Sequence, residues 1–188
     1  MWTENLTMKY KDYYLQEIVP ALKKELKIEN IFQVPKMKKV VVNVGAGEAA
    51  TDKKVLDRVT ADLMAITGQK PVITKARKSI SAFKIRKGLA IGAKVTLRGD
   101  KMYDFVEKLF KIVLPRIRDF RGVGMSGVDN RGTFNLGMTD QTLFPEIEYD
   151  KIDKIRGLQI TIVTTAQSKD DLIAFLKLLG LPFEVSSN

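Results

Sequence analysis

The side chains best placed to do chemistry are nine cations that lie close together in the sequence. Between Leu63 and Gly99 there is no acidic residue, so this stretch, called the basic window below, carries a charge of +9. The chain of 188 residues has 32 Lys and Arg against 22 Asp and Glu, which leaves 23 bases and 22 acids outside the window. The nine cations are Lys70, Lys75, Arg77, Lys78, Lys84, Arg86, Lys87, Lys94 and Arg98. Solvated faces usually mix both signs to limit self-repulsion, so the window indicates a polyanionic partner, with nucleic acid favoured over an anionic membrane.

The basic window contains one aromatic residue, Phe83. Proteins that bind single strands without sequence preference stack successive bases on several aromatic side chains. The composition of the window therefore favours a folded RNA that is recognised through its shape, phosphates and 2′-hydroxyls. Phe83 itself could pack beneath the basic segment or lie at its tip, and the sequence does not decide between the two.

A glycine-containing turn from Val44 to Ala50 is the best indication of an enzyme. It follows a strand, precedes a helix and formally fits the Gly-x-Gly-x-x-Gly/Ala turn that holds a dinucleotide pyrophosphate. That fingerprint also needs an acidic residue at the end of the next strand, where this sequence has Thr74 and Lys75. An NADP-binding enzyme with Arg77 on the 2′-phosphate remains an alternative. A tight turn built from small residues is favoured, because later segments do not alternate as a doubly wound sheet requires.

An acidic island lies on this otherwise basic chain. From Asp140 to Asp153 there are five acids and one base, a net charge of −4. The five acids are Asp140, Glu146, Glu148, Asp150 and Asp153. Glu146, Glu148, Asp150 and Asp153 could imitate a general acid and base or a Mg²⁺ site, but they occupy a hydrophilic, turn-like stretch beside Lys151 and Lys154. We therefore interpret them as solvated or facing a protein partner.

The composition excludes several kinds of catalytic site. The chain has no Cys and no His, which rules out the common zinc, haem, iron–sulfur and thiol-nucleophile sites and a Ser-His-Asp mechanism. It also lacks a Walker A sequence. We expect no enzyme activity, no cofactor and no metal.

No segment approaches the ~20 apolar residues of a membrane span, and the N-terminus does not resemble a secretory signal. We expect a cytoplasmic protein without a membrane partner. The length suits a single domain over residues 1–188 with a core large enough to fold without disulfides or metal.

Hydrophobic periodicity and turn residues predict alternating helices and strands. The predicted helices cover residues 8–28, interrupted or kinked at Pro20, then the segment from a Thr51 or Asp52 cap to Gly68, the segment from an Asp100 cap to Pro115, and the segment from a Ser168 cap to Gly180. The predicted strands cover residues 39–45, 71–74, 89–98, 133–138 and 158–166. Residues 76–88 form a long basic loop.

Residues two apart in a strand share one face of the sheet. In the strand at 93–98, apolar residues on one face oppose Lys94, Thr96 and Arg98 on the other. In the strand at 39–44 a valine face likewise opposes Lys39, Val41 and Asn43. This pattern predicts an α+β fold whose sheet is covered by helices on one side and open, polar and basic on the other, a surface suited to RNA.

The residues from Leu63 to Ser79, LMAITGQKPVITKARKS, resemble the signature of the fifth large-subunit ribosomal protein family, the 5S-RNA-binding proteins of the central protuberance. The resemblance covers essentially the whole chain and suits a bacterial member. The further matching segments are VVVNVGAGEA (40–49), SISAFKIRKG (79–88), IGAKVTLRG (91–99), LPRIRDFRG (114–122), RGTFNLG (131–137), FPEIEYDKI (144–152) and LPF (181–183).

The resemblance implies an antiparallel sheet whose concave face grips 5S ribosomal RNA. The matching positions for that contact are Asn43, Gln69, Thr96 and Arg98, with Thr74 and Lys94 as neighbours. The resemblance also implies that the loop reaches large-subunit ribosomal RNA and the P-site tRNA. The loop cations concerned are Lys75, Arg77, Lys78, Lys84, Arg86 and Lys87.

The resemblance further implies an intersubunit bridge to a protein of the small-subunit head. The acidic island is our candidate surface for that cationic partner. Neighbouring 5S-binding ribosomal proteins are expected as further partners, and the free protein is expected to be a monomer. A generic basic RNA chaperone, which would bind any structured RNA alike, stays open as an alternative.

Overall fold

The computed structural model describes residues 9–52 and 54–184, except for the side chain of Lys151. Within these ranges five strands form one sheet in the order β2-β3-β1-β5-β4. The strands are β1 (Met37–Gly45), β2 (Val72–Lys75), β3 (Ala90–Leu97), β4 (Thr133–Met138) and β5 (Leu158–Thr164). The α-helices of the same ranges are α1 (Tyr10–Tyr13), α2 (Val19–Glu25), α3 (Lys54–Thr67), α4 (Asp100–Lys108) and α5 (Lys169–Leu178). The sheet is antiparallel, and the predicted α+β class is confirmed.

Backbone packing divides the chain into two compact units. The first unit comprises the described parts of Met1–Lys39, Arg98–Asn135 and Ile162–Asn188. The second unit comprises Val40–Leu97 and Leu136–Thr161. The single domain expected from the length stays a prediction.

In the first unit, Tyr14 is a centre of the helical core. A π-helical turn, Tyr14–Ile18, joins α1 to α2, which has Pro20 in its first turn. The helix predicted over residues 8–28 is therefore interrupted just before Pro20, and it ends at Glu25. The Tyr14 ring lies 5.5 Å from Tyr103 and 6.1 Å, edge to face, from Phe175. Its hydroxyl donates to the backbone oxygen of Pro35 at 3.1 Å, and burial raises the pKa of Tyr14. The hydroxyl therefore stays a neutral donor inside the core. Residue 8 lies outside the described residues.

The predicted helix caps have different outcomes. The Ser168 side chain accepts a hydrogen bond from the Asp171 backbone, so this cap is confirmed. The prediction that Asp100 caps α4 is wrong. Gly99 holds the cap position with φ of 61°, and Asp100 lies in the first helical turn, where its carboxylate accepts from Lys11 Nζ at 2.8 Å. A carboxylate in the first turn is favoured by the helix dipole even without a capping bond.

In the second unit, α3 packs against the sheet through its apolar stripe. The Asp52 carboxylate accepts a hydrogen bond from the Lys54 backbone at 2.9 Å and so begins the helix, as one of the two predicted caps. The predicted stripe is buried, which is confirmed for Val55, Leu56, Val59, Leu63 and Ile66. Together with the inward side chains of β1 and β3, this stripe forms the apolar core of the unit.

The predicted alternation along the strands is confirmed. Val40, Val42 and Val44 of β1 are buried, and the residues between them are half-buried. Ala93, Val95 and Leu97 of β3 are buried in the same way, whereas Lys94 is exposed and Thr96 half-buried. One face of this part of the sheet is therefore core, and the opposite face, called the open face below, carries the polar side chains.

Candidate nucleic-acid interface

The strand register of the second unit places polar residues of the open face side by side. β1 and β3 are antiparallel with Asn43 opposite Lys94, and β2 and β3 are antiparallel with Val72 opposite the same lysine. Thr96 lies opposite Val41. Cβ atoms of directly opposed residues lie about 4.5–5.5 Å apart, so an amide and an ammonium group share one row across two strands. An amide can make directed hydrogen bonds to a base or sugar, and the ammonium can neutralise a phosphate.

Gln69 reaches this face from the end of α3. Gly68, with φ of 62°, ends the helix and turns the chain back toward the sheet. The side-chain nitrogen of Gln69 then donates to the backbone oxygen of Thr96 at 3.1 Å. This contact ties the helix end to β3 and holds the amide beside Thr96, another predicted contact residue. Strand parity could not have placed it, because Gln69 belongs to no strand.

Thr74 lies opposite Gly92 in the register of β2 and β3. A Cβ atom at Gly92 would stand 2.9 Å from Thr74 Oγ1 and 2.5 Å from the Val44 backbone oxygen. The glycine therefore leaves the space that the threonine side chain uses, and it allows the strands to approach. The last of the six predicted contact residues is Arg98. It directly follows β3, is exposed and belongs to the first unit.

Residues 76–88, which join β2 to β3, form an ordered extension of the hairpin made by these two strands. Ile80 and Ile85 pair as an antiparallel bridge and exchange two backbone hydrogen bonds of 2.8 and 3.1 Å. Near the base, the Ala76 amide donates to Leu89 at 2.8 Å, and the Lys87 amide donates to Ser79 Oγ at 3.0 Å. We call residues 76–88 the basic hairpin.

The cationic side chains of this region lie exposed on the surface. All six predicted cations of this region are exposed, and the ring of Phe83 at the tip is 70% exposed. The six cations are Lys75, Arg77, Lys78, Lys84, Arg86 and Lys87. Of the two placements left open for Phe83, the structure has the one at the tip.

Asp153 and Asp140 of the acidic island accept hydrogen bonds within the second unit. Asp153 accepts two hydrogen bonds of 2.8 Å from Arg156 and one of 2.6 Å from Arg58 of α3. These arginines, with Arg156 the larger influence, hold the pKa of Asp153 well below its usual range. Asp140 accepts from the Thr142 backbone at 2.6 Å and caps a short 3₁₀ turn. Both carboxylates thus order the segment, whereas Glu146, Glu148 and Asp150 lie exposed on it.

A buried glutamine, which no pattern in the sequence marks, anchors the acidic island. Gln141 is 3% exposed, and its amide nitrogen donates to the Lys154 backbone oxygen at 3.0 Å and to Asp62 of α3 at 3.4 Å. Its amide oxygen accepts from the backbone of Arg156. Burial is the main cause of a raised pKa at Asp62. The conformation of the acidic island is therefore fixed from its buried side.

Among the described residues there is no group of three or more His, Cys, Asp or Glu arranged to hold a metal ion. Over the same residues, no helix is both long enough and apolar enough to cross a membrane.

Comparison with known proteins identifies the family. Residues 30–86 match the family model described as ribosomal protein L5, and residues 90–183 match the model described as the C-terminus of the same ribosomal family. The chain belongs to the ribosomal L5 family. The large ribosomal subunit protein uL5 of Desulforamulus reducens is 54% identical over 173 residues, which cover 92% of this chain and 96% of that protein. The uL5 protein of Chloroflexus aurantiacus is 53% identical over 178 residues, covering 95% of this chain and 99% of that protein.

Membership of the L5 family makes this chain a ribosomal protein of the large subunit and not an enzyme. The dinucleotide-binding alternative is therefore wrong, and the structure gives the physical reason. β1 pairs antiparallel with β3, whereas the pyrophosphate turn belongs to a parallel sheet. In this chain the glycine-containing turn after β1 leads into a short 3₁₀ turn, Gly47–Ala50, before α3.

Proposed function

We propose that this ribosomal protein binds 5S ribosomal RNA through the open face and so attaches that RNA to the large subunit. The observation that carries the proposal is the row of Asn43 and Lys94, with Gln69 held beside it on Thr96. These groups stand on strands and on a fixed helix end, so little ordering is needed when RNA binds. The proposed contact residues are Asn43, Gln69, Thr74, Lys94, Thr96 and Arg98.

The chemistry of the face suits discrimination between RNAs. Lysine neutralises phosphates and releases counterions whatever the sequence, which gives affinity that depends on salt. Asn, Gln and Thr form directed hydrogen bonds with bases and 2′-hydroxyls, which depend on the shape of the RNA. The two kinds of group occur together here, so affinity and selectivity should respond to different mutations.

The basic hairpin is proposed to contact RNA beyond the 5S molecule, namely large-subunit ribosomal RNA and the P-site tRNA. Its support is the density of exposed cations on a paired backbone that extends away from β2 and β3. A charged hairpin of this kind can reach a second RNA while the open face holds the first.

The acidic island is proposed to face a cationic protein of the small-subunit head. Glu146, Glu148 and Asp150 supply exposed negative charge, and the bonds of Asp153 and Gln141 keep the backbone in place. Replacing Glu146 and Glu148 by Lys should weaken the association of the two subunits, and unchanged association would contradict this assignment. We further propose that the free protein is a monomer. On the cytoplasmic ribosome it would contact neighbouring 5S-binding proteins.

The experiment that tests the 5S assignment is a titration of the full chain with 5S ribosomal RNA, tRNA and a random-sequence RNA at several salt concentrations. We expect 5S RNA to bind most tightly at every salt concentration. Asn43→Ala should reduce its advantage without changing the salt slope, whereas Lys94→Gln should lower that slope by about 1. Gln33→Ala removes an exposed amide from the first unit and serves as the matched control. Equal binding of the three RNAs would instead favour a generic RNA chaperone.

A further inference from the structure

The tip of the basic hairpin combines a fixed aromatic ring with surrounding positive charge. Ser81–Phe83 forms one 3₁₀ turn, and the Lys84 amide closes it on the Ser81 oxygen at 3.0 Å. Lys84 itself has φ of 53°, a left-handed conformation that costs a residue with a side chain about 1–2 kcal/mol. The antiparallel bridge between Ile80 and Ile85 pairs the two chain segments that flank this turn. The backbone that carries Phe83 is therefore held by hydrogen bonds on both sides.

The exposure of Phe83 is not explained by packing within the chain. Its ring is 70% exposed, while the burial of a phenylalanine side chain is worth about 1.5–3 kcal/mol. It stands in a region without acidic residues, between cations at Lys78, Lys84 and Arg86. A partner that matches this tip would offer negative charge together with a flat apolar surface.

RNA offers both features in one place, at an unpaired nucleotide. Phosphates flank each base, and a base that is not paired presents a π-face to which an aromatic ring can stack. In a continuous A-form helix the bases stack on one another, and the deep major groove does not admit a side chain. We propose that Phe83 stacks on an unpaired nucleobase and thereby directs the basic hairpin to loops or bulges of its RNA partner. The inference rests on the proposed RNA contact of this hairpin.

The test uses the full-length protein and two RNA hairpins of the same stem and closing loop. In one, the fluorescent base 2-aminopurine is bulged from the stem; in the other it is paired. We expect the wild-type protein to bind the bulged RNA more tightly and to lower the emission of its 2-aminopurine. Phe83→Ala should weaken binding to the bulged RNA by about 5- to 150-fold and remove the change in emission. Phe83→Tyr should restore both, because the ring is retained.

Two further measurements separate stacking from other causes. The salt slope of binding should be the same for Phe83→Ala as for the wild type, because no charge is removed. Phe32→Ala removes a ring that is 87% exposed in the first unit, and it should change neither affinity nor emission.

The inference is overturned if Phe83→Ala binds the bulged RNA as the wild type does and still lowers its emission. It is also overturned if the Phe83→Trp variant, made in a Trp2→Phe background, shifts its fluorescence with vesicles of anionic phospholipid and not with the bulged RNA. Neither result tests the 5S assignment, which depends on the titration of the three larger RNAs. Conversely, equal binding of those three RNAs would refute the 5S assignment. Stacking by Phe83 would still be decided by the two RNA hairpins.

Discussion

Two glycines that lie opposite each other on the open face provide a matched test of the register between β1 and β3. Gly45 and Gly92 are partners in the register of β1 and β3, and neither has a positive φ. A Cβ atom at Gly92 would lie 2.5 Å from the Val44 backbone oxygen, whereas one at Gly45 would meet no atom within 4 Å. The same substitution, glycine to alanine, therefore has opposite consequences at two directly opposed positions.

The magnitudes follow from these distances. To bring the Gly92 contact from 2.5 Å to 3.0 Å, β3 and β1 must separate by about 0.5 Å, a form of overpacking that costs roughly 1–3 kcal/mol. The midpoint of thermal unfolding should fall by about 2–12 °C in a chain of this size. Gly45→Ala should leave the free energy of unfolding unchanged or raise it by about 0.4–1 kcal/mol, because alanine restricts the unfolded chain.

Chemical denaturation of the two variants and the wild type, followed by circular dichroism, measures this difference directly. The slope with denaturant should be the same for all three proteins, so that the midpoints report stability alone. Gly92→Ala should also weaken RNA binding, because Thr74 Oγ1 occupies the space that the new methyl group would take. Equal stability of the two variants would refute the strand register on which the proposed site depends.

Two further predictions concern a close glycine contact in the first unit and a carboxylate shared by two arginines in the second. Gly132 has φ of 73°, and a Cβ atom there would lie 2.4 Å from the Ala166 oxygen, so Gly132→Ala should destabilise the protein by roughly 2–5 kcal/mol in equilibrium unfolding. Asp153→Asn should lower the melting temperature at neutral pH, because Arg156 and Arg58 lose their shared carboxylate. The folded pKa of Asp153 is depressed, so its contribution is present above the unfolded value of about 3.9 and is lost as pH falls below it.

The controls for these predictions differ. Gly137→Ala adds a methyl group to open space in β4 and should have little effect, and a loss as large as that at Gly132 would contradict the steric explanation. For Asp153→Asn, the difference in melting temperature from the wild type should become smaller as the pH falls from 7 to 2. A difference that persists undiminished at the acid end would show that the arginine contacts do not stabilise the fold.

The sheet could be predicted from the sequence because strand parity depends on local pattern alone. Val42 and Val95 alternate with Asn43 and Lys94, and burial of one face fixes which side each residue takes. The same alternation is enough to predict the open face. It does not predict the register, because pairing joins residues that are far apart in the chain.

The contacts that the sequence did not reveal are long-range or depend on backbone detail. Gln141 reaches Asp62 of α3 across 79 positions, and nothing near either residue marks the pair. The residue type and place of Asp100 predict a cap, whereas Gly99 takes that position with a φ that glycine adopts freely. The position of Phe83 depends on the closed turn at Lys84, which residue type does not predict.

The central claim, that the open face holds 5S ribosomal RNA, is tested most directly by crosslinking within assembled large subunits. Val41 lies opposite Thr96, on the strand face that also carries Asn43, and Val41→p-benzoylphenylalanine places a photoreactive group there. Tyr149, 74% exposed on the acidic island, is the matched position for the same substitution away from the open face. On irradiation the proposal predicts that position 41 crosslinks to 5S ribosomal RNA and position 149 does not. Crosslinks from position 41 only to other RNAs or to proteins would contradict it.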